Sequence, residues 1–320
     1  MTARSIAARR SKPAASKPRI SIKKTWPLHV MLVPGVVLVL VFSYIPMAGI
    51  VMAFQRFRPA MGPWWGGKQQ WAGLYNFEFV LSLPNTMNVL RNTLVMAIGK
   101  IVLGTLVSII FALLLNEIRH RGMRRAIQTT IYFPHFLSWI ILSGILVDFL
   151  SQENGIVNAA LRGLGFGAIP FLTDPKWFPF SMIATDVWKG FGFGTVIYMA
   201  SIASIDPTLY EAAAIDGAGR WKQTLHVTLP GMQMIIVLLA VLNLGNILNA
   251  GFDQIFNMYN SQVLTTGDII DTLVYRLSIG SGTPQYGVAT AIGLFKSAVS
   301  MILIASTYFY AYKKLDYTIF

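Results

Sequence analysis

Six long apolar stretches divide this chain of 320 residues and decide what it can fold into. A helix needs about 20 apolar residues to cross a hydrocarbon core about 30 Å thick, because it rises about 1.5 Å per residue. Only 12% of the residues are charged and 54% are hydrophobic, whereas a soluble domain is about one quarter charged. The sequence therefore predicts an all-α, polytopic membrane protein with six transmembrane helices, at about residues 30–53, 90–115, 127–150, 179–203, 231–252 and 287–311.

The basic residues predict the orientation of these helices. Six spans place both termini on one side of the membrane. Of the 26 Lys and Arg residues, 16 lie on the side of the termini, six lie in the opposite loops, and four lie within or at the rims of spans. Because loops rich in Lys and Arg stay in the cytoplasm, we expect both termini to be cytoplasmic.

The N-terminal segment has a composition of its own. Residues 1–27 hold eight Lys and Arg residues and no acidic residue, among Ser, Ala and Pro. We expect a disordered cytoplasmic tail resting on anionic membrane lipid, followed by a transmembrane domain at 28–320. The net charge of +13 comes mostly from such cytoplasmic flanks. We therefore expect no nucleic-acid partner.

The sequence lacks the usual patterns of metal and catalytic sites. There is no Cys, and the four His are too scattered to suggest a metal site. No Gly-x-x-x-x-Gly-Lys-Ser/Thr phosphate loop is present, nor a His-Glu-x-x-His or Gly-x-Ser-x-Gly motif. We expect no catalytic residue, no metal and no cofactor bound by this chain, which argues against a membrane-embedded enzyme.

The loop between the fourth and fifth predicted spans, residues 204–230, carries distinctive helix signals. Asp206 is a good N-cap and Pro207 a good first helical residue. The first helix should run to about Asp216 and stop at Gly217, which can adopt a left-handed conformation. A glycine corner is therefore predicted in the middle of the loop.

A second helix should run from about Arg220 until Pro230 interrupts it near the membrane. On the first helix, Ala212 and Ala213 leave a flank with almost no side-chain bulk, and Glu211 offers a carboxylate to a basic partner. This shape suits docking of another protein. An ordinary amphipathic connector is the alternative.

These residues resemble the signature loop of the permease subunits of binding-protein-dependent ABC importers. That signature reads Glu-Ala-Ala, three residues, Gly, nine residues, Ile-x-Leu-Pro. The one departure in this chain is Val227 in place of Ile. Six positions match in register, namely Glu211, Ala212, Ala213, Gly217, Leu229 and Pro230.

Other segments resemble the carbohydrate branch of these permeases. The matching segments are similar to LplB-like permeases for oligosaccharides or polysaccharides, a group that includes the alginate-importer permease. The similarity covers most of residues 28–320 and does not identify the saccharide or its chain length. The segments are Ile215 to Ala218 with Arg220 and Trp221, Pro34 with Gly35, Tyr44 to Pro46, Tyr132 to His135, and Thr290 to Ser297.

The resemblance implies a type I ABC importer permease in a bacterial cytoplasmic (inner) membrane. The chain would be one of two membrane subunits, and an extracytoplasmic solute-binding protein would deliver the saccharide. The sequence does not decide whether the second subunit is identical or distinct, and the habit of the family favours a distinct one. A partner ATPase dimer, binding ATP and Mg, would dock on the loop and drive alternating access. Glu211 and Asp216 would make polar contacts, Ala212 and Ala213 would allow close approach, and Gly217 would form the corner.

The fifth predicted span suggests a path for the solute. On a continuous helix, Asn243, Asn246, Asn249 and Asp253 fall within an arc of about 80°. Amides can donate to and accept from sugar hydroxyls without a buried charge. Alternatively, these amides bond neighbouring helices.

Four charged residues lie inside predicted spans. Asp186 and Lys189 are three positions apart and are predicted to form a structural ion pair, with a transport role as the alternative. Lys100 is expected to extend toward an interface, and Lys296 to face a protein interior or cavity. No partner of Lys296 can be named from the sequence.

An ion-coupled secondary transporter is the main alternative function, since it too needs several spans and a few buried charges. The chain shows no clear internal repeat of broken helices, and the loop at 204–230 favours the importer. ATP dependence would distinguish the two.

Overall fold

The computed structural model describes residues 22–280 and 282–315, and these are predominantly helical. The chain divides into two units, Met1–Ile50 and Val51–Phe320. Most of the predicted basic tail lies outside the described residues. The first helix begins at Ile22, so residues 22–27, which we assigned to that tail, are helical.

Most of the elements follow one another with short connections. Strands β1 (Gln55–Arg56) and β2 (Gln70–Trp71) pair antiparallel as a small hairpin. The helices of the described residues are α1 (Ile22–Val39), α2 (Ile45–Met47), α3 (Tyr75–Ser82), α4 (Thr86–Glu117), α5 (Arg121–Tyr132), α6 (Trp139–Leu150), α7 (Ile156–Gly163), α8 (Phe178–Ala203), α9 (Pro207–Ile215), α10 (Arg220–Gln223), α11 (Leu229–Gly245), α12 (Phe252–Met258), α13 (Leu264–Gly267), α14 (Ile270–Ser278) and α15 (Tyr286–Leu315). Short 3-10 turns (Ala48–Phe54, Pro59–Met61, Phe133–Phe136 and Ser261–Val263) and π turns (Leu40–Tyr44 and Thr224–Thr228) join some of them.

Four helical stretches among the described residues are long and apolar enough to cross a membrane. A fifth would be the pair Arg121–Phe136 and Trp139–Leu150, which is bent by 104° between its two halves. These five correspond to five of the six predicted spans. The four unbroken stretches are Thr25–Phe54, Thr86–Glu117, Arg220–Gly245 and Tyr286–Phe309.

Helix α8 corresponds to the remaining predicted span, the fourth, at 179–203, but is not apolar enough to belong to that set. Its 26 residues would extend over about 39 Å, which is sufficient to cross a bilayer. Asp186, Lys189 and several glycines lower its apolar character. The described residues therefore contain four or five spans by length and composition.

Pro230 does not interrupt the second helix of the loop, contrary to expectation. Arg220–Gly245 is one continuous helical stretch. The turn Thr224–Thr228 just before the proline is π-helical, and the N–H of Leu229 bonds the carbonyl of Thr224. This wider register accommodates a proline, which has no N–H to offer to an α-helical ladder.

The fifth predicted span, at 231–252, is broken near its end. Helix α11 stops at Gly245. The chain then passes through a turn, and Gly251 has a φ of +91° before α12 begins at Phe252. We call residues 246–251 the α11 break. The prediction of four polar residues on one face of a continuous helix is therefore wrong, because there is no continuous helix beyond Gly245.

The core of the larger unit lies where α4, α8 and α12 meet. Its largest buried side chains include Met96, Phe178, Met182 and Ile255. Close approach of α8 to its neighbours depends on two of its glycines. A Cβ added at Gly192 would overlap the backbone carbonyl of Ile131, and one added at Gly194 would lie 2.5 Å from Ser108 Oγ.

Candidate functional site

Helix α9 begins as its sequence predicts. The side chain of Asp206 caps it, with Oδ1 accepting from the backbone N–H of Thr208 at 2.9 Å, and Pro207 is the first helical residue. This hydrogen bond stabilises the charged carboxylate and lowers the pKa of Asp206 below its ordinary value. The cap is fully exposed to solvent in this chain.

The far end of α9 is a glycine corner. The helix ends at Ile215, and Gly217 has a φ of +76°. The N–H of Ala218 then reaches back to the carbonyl of Ala213 at 2.9 Å, and the N–H of Gly217 to that of Ala214 at 3.1 Å. These bonds satisfy carbonyls that the end of a helix leaves open.

Two side-chain contacts hold the loop on the neighbouring helices. The hydroxyl of Tyr210 lies 3.1 Å from Thr228 Oγ1, which joins α9 to the π turn. Arg220 Nη1 donates to Glu117 Oε2 at 2.8 Å, which joins the start of α10 to the end of α4. Helix α9 is thus joined to the helical stretch Arg220–Gly245, and that stretch is joined to α4.

The outer surface of the loop carries most of the predicted docking residues. Ala213 and Leu229 are half-buried, whereas the other five, Glu211, Ala212, Asp216, Gly217 and Pro230, are exposed. Two apolar side chains beside the corner, Ile215 and Trp221, are 87% and 74% exposed. The resemblance assigns them no role, although two large exposed apolar residues flanking a glycine corner are typical of protein–protein contact surfaces.

A cavity of about 380 Å³, lined by both apolar and polar side chains, lies between α4, α8 and the α11 break. Asn243, Asn246 and Asn249 border it, together with Lys100 and Asp186. Three of the four predicted polar residues therefore border one cavity, although they do not lie on one continuous helix. The volume falls in the range of small-molecule sites.

The fourth residue, Asp253, is not among the residues that border this cavity. It lies exposed in the first turn of α12, where its carbonyl accepts from Asn257 Nδ2 at 2.6 Å. Because α11 ends at Gly245 and a new helix begins at Phe252, Asp253 does not continue the helix face that carries Asn243.

Asp186 and Lys189 do not pair with each other. Asp186 Oδ1 lies 3.4 Å from Lys100 Nζ on α4. Lys189 Nζ donates to the carbonyl of His135 at 3.0 Å and lies 5.3 Å from the centre of the Trp139 ring. The predicted ion pair is wrong because each side chain meets a group on another element, and Lys189 supplies a donor to a carbonyl within the bent span.

Lys100 does not extend to an interface either. It is 9% exposed, and its Nζ donates to the carbonyl of Ala250 at 2.7 Å and to Gln254 Oε1. Gln254 is fully buried and in turn donates to the carbonyl of Met182 and to Thr185 Oγ1, both at 2.8 Å. A buried polar network therefore connects α4, α8 and α12 across the α11 break.

Lys296 has partners that the sequence could not name. Its Nζ donates to Asp271 Oδ1 at 2.5 Å and to Asn249 Oδ1 at 2.7 Å. Asn249 thus bonds a neighbouring helix, α15, as the alternative explanation of these amides proposed. Asn246 differs, since its amide is exposed and makes a long bond of 3.5 Å to the carbonyl of Leu242 on its own helix.

The described part of the chain contains no group of three or more His, Asp or Glu placed to hold a metal ion. Its polar centres are instead amides, hydroxyls and charge pairs. Lys100 with Asp186, and Lys296 with Asp271, each combine one positive and one negative group. Such pairing reduces the cost of placing charge inside a membrane protein.

A helical membrane fold with this loop and this cavity defines a transport component. Residues 104–313 match the model of the family described as "Binding-protein-dependent transport system inner membrane component". The chain belongs to this family. It is therefore an inner-membrane component of a transport system that works with a binding protein.

Two curated relatives from Bacillus subtilis (strain 168) are similar over most of their length. Protein LplB is 39% identical over 296 residues, covering 92% of this chain and 91% of the relative. The polygalacturonan/rhamnogalacturonan transport system permease protein YteP is 38% identical over 277 residues, covering 87% and 85%.

A solved structure has the same fold. It is the bacterial alginate ABC transporter in complex with an alginate pentasaccharide-bound periplasmic protein. One of its chains is 35% identical to this chain and superposes with a TM-score of 0.82, covering 91% of this chain and 96% of that one. The chain thus has the permease fold of an ABC importer.

Proposed function

We propose that this chain is the transmembrane permease subunit of an ATP-driven importer that takes up an oligosaccharide or polysaccharide. The family match over residues 104–313 carries this proposal. The names of YteP and of the alginate transporter supply the solute class. As in the alginate complex, a periplasmic or other extracytoplasmic binding protein would deliver the saccharide.

The proposed topology has six spans with both termini in the cytoplasm. The support consists of the bias of Lys and Arg toward the terminal side, the five candidate spans, and the 26-residue helix α8. In a bundle, α8 can cross the membrane despite its two charges, because both meet partners inside the protein.

The loop at 204–230 is the proposed docking site for the partner ATPase, which binds ATP and Mg and carries out hydrolysis. Glu211 and Asp216 would meet basic groups, and Ala212 and Ala213 would admit the ATPase backbone. Exposed Ile215 adds an apolar contact beside the corner. A second, distinct permease subunit would present an equivalent loop to the other half of the ATPase dimer.

One continuous helix offers a route from this loop to the cavity. Arg220–Gly245 comprises 26 residues and extends over about 39 Å. It begins beside the glycine corner and ends at the α11 break, where Asn246 and Asn249 border the cavity. A rigid movement of the loop would therefore move the wall of the proposed solute path and support alternating access.

The cavity suits a solute rich in hydroxyl groups. The amides of Asn243 and Asn246 can both donate and accept, as sugar hydroxyls do. The two lysines near the path are paired with carboxylates. Asp253, which we also named for the path, is exposed outside the cavity and would meet the solute only before it enters or after it leaves.

Transport by the reconstituted complex tests this proposal. The permease pair and ATPase would be placed in proteoliposomes, with the binding protein and labelled alginate or polygalacturonan oligosaccharides supplied on the binding-protein side. We expect uptake that requires ATP and the binding protein. Uptake driven by a proton or sodium gradient without ATP would instead establish the ion-coupled secondary transporter.

A further inference from the structure

Lys100 is a buried charged residue that the proposed function does not use. It lies in the middle of α4, and its side chain is 8% exposed. The three polar groups around its Nζ belong to α8, to the α11 break and to α12, namely Asp186 Oδ1, the carbonyl of Ala250, and Gln254 Oε1. An ammonium group has three donors, so these partners match its capacity.

The α11 break needs such a donor. The carbonyl of Ala250 lies between the end of α11 and the start of α12 and belongs to neither helix. Ala250 is fully buried, so water does not reach its carbonyl, and an unpaired buried carbonyl is costly. Lys100 Nζ supplies the hydrogen bond at 2.7 Å.

The backbone passes directly beside this ammonium group. A Cβ added at Gly251 would lie 2.8 Å from Lys100 Nζ, and Gly251 also has a φ of +91°. Gln254 holds the other side of the same group and is itself bonded to Met182 and Thr185 of α8. The position of the break is thus defined by the Lys100 nitrogen of α4, on which groups from α8 and α12 also converge.

We propose that Lys100 is a positioning residue that holds the α11 break in place and thereby sets where Asn246 and Asn249 stand in the cavity wall. Asp186 balances its charge and orients it. Lys100 acts through the backbone of the break, not through the solute. The effect on transport rests on the proposed function, whereas the effect on the break does not.

A second lysine provides a matched control. Lys189 also donates to a backbone carbonyl at a discontinuity, that of His135, within the bend between α5 and α6. Lys100→Met and Lys189→Met remove the same charge and keep similar side-chain length. Lys100→Met should loosen the α11 break and leave the bend between α5 and α6 unchanged. Lys189→Met should loosen that bend and leave the α11 break unchanged.

Hydrogen exchange measured by mass spectrometry on the complete complex, without solute, tests the proposal. Lys100→Met should raise amide exchange in peptides covering 246–255 by at least about tenfold, with no change at 133–138. Lys189→Met should give the reverse pattern. Unchanged exchange at 246–255 in Lys100→Met, or an equal rise at both places, would overturn the proposal.

The double variant Lys100→Met with Asp186→Asn separates the loss of the Lys100 hydrogen bonds from the effect of an unpaired, half-buried carboxylate. If the Lys100 hydrogen bonds hold the break, amide exchange at 246–255 stays raised when the carboxylate is also neutralised. Recovery of normal exchange in the double variant would show that only the unpaired charge disturbed the protein, and would contradict the proposal.

Kinetics then test the link to transport. ATP hydrolysis would be measured against the concentration of binding protein loaded with the oligosaccharide that the unaltered complex imports. Because Lys100 lies away from the outer surface, Lys100→Met should lower the maximal rate at least about fivefold and change the apparent KM by less than about twofold. A normal maximal rate with an opened break would refute the positioning role. Absence of stimulation in the unaltered complex would instead refute the proposed function.

Discussion

The loop at 204–230 and the cavity beside the α11 break are built in opposite ways. The loop is exposed, and its helix, cap and corner are formed by residues within a few positions of one another. The cavity is assembled from α4, α8 and α11, with contacts such as Lys100 to Ala250 that join residues 150 positions apart. Substitutions in the loop should therefore affect docking at the surface, whereas substitutions around the cavity should affect the path that docking controls.

The largest expected effect in the loop is that of Gly217→Val. No heavy atom lies within 4 Å of an added Cβ, so the substitution strains the backbone at φ +76° without a clash. A left-handed conformation costs about 1–2 kcal/mol for an ordinary residue, and a β-branched residue is a stronger outlier. We expect ATP-driven uptake to be abolished while the protein remains in the membrane, as checked by uptake and immunoblotting.

Gly219→Val is the matched control, because Gly219 has an open Cβ position and a φ of −68°. It should retain most of the uptake. Normal uptake with Gly217→Val would contradict the docking role of the loop.

The cavity should respond differently. Asn246→Ala removes an exposed amide that borders the cavity and makes only a long bond to its own helix. We expect solute-stimulated ATP hydrolysis to fall about fivefold to tenfold, equivalent to the loss of one or two solute hydrogen bonds, with normal assembly of the complex.

Asn257→Ala serves as its control, since Asn257 is exposed on α12 and does not border the cavity. Unchanged stimulation with Asn246→Ala would favour a structural role for the amide and remove it from the proposed path.

A smaller effect on uptake is expected from the contact between the loop and the end of α4. Glu117→Arg breaks the ion pair with Arg220 at 2.8 Å, which links the loop to α4. Both groups are about half exposed, and such pairs contribute at most about 1 kcal/mol, so uptake should fall about twofold to threefold. The swap of Glu117→Arg with Arg220→Glu should restore it, as measured by initial uptake rates. Failure of the swap would mean that the pair does not link the loop to α4.

The smallest effect concerns the cap of α9. Asp206→Ala removes the acceptor of the Thr208 N–H and should reduce uptake by less than about twofold, whereas Asp206→Ser keeps a good cap and should have no effect. Because the hydrogen bond lowers the pKa of Asp206, its stabilisation is present above the ordinary value of 3.8 and is lost only as pH falls below that. The ratio of Asp206→Ala to unaltered uptake should therefore be constant between about pH 5 and pH 8, and a ratio that changes within this range would contradict the assignment.

The loop could be predicted from the sequence because its signals are local. Asp206, Pro207 and Gly217 each act on the nearest turn, and the structure confirms the cap, the first helical residue and the corner. Pro230 was misjudged because the π turn before it is not encoded by a distinct residue type.

The cavity could be predicted only in part. The segment from Gly245 to Gly251 places two Asn between glycines, a turn signal that could have indicated the α11 break. The pairing of Asp186 with Lys100 could not be found, because spacing along one helix says nothing about which neighbouring helix faces each residue. The partners of Lys296 depend on tertiary packing in the same way.

Recovery of partners with the tagged chain in mild detergent tests the central claim most directly. The unaltered chain should co-purify with an ABC ATPase and a second permease, and Glu211→Lys and Gly217→Val should lose the ATPase while keeping the second permease. Gly219→Val should keep both. A chain that purifies alone, or that retains the ATPase fully in both loop variants, would contradict the account of an importer permease coupled through this loop.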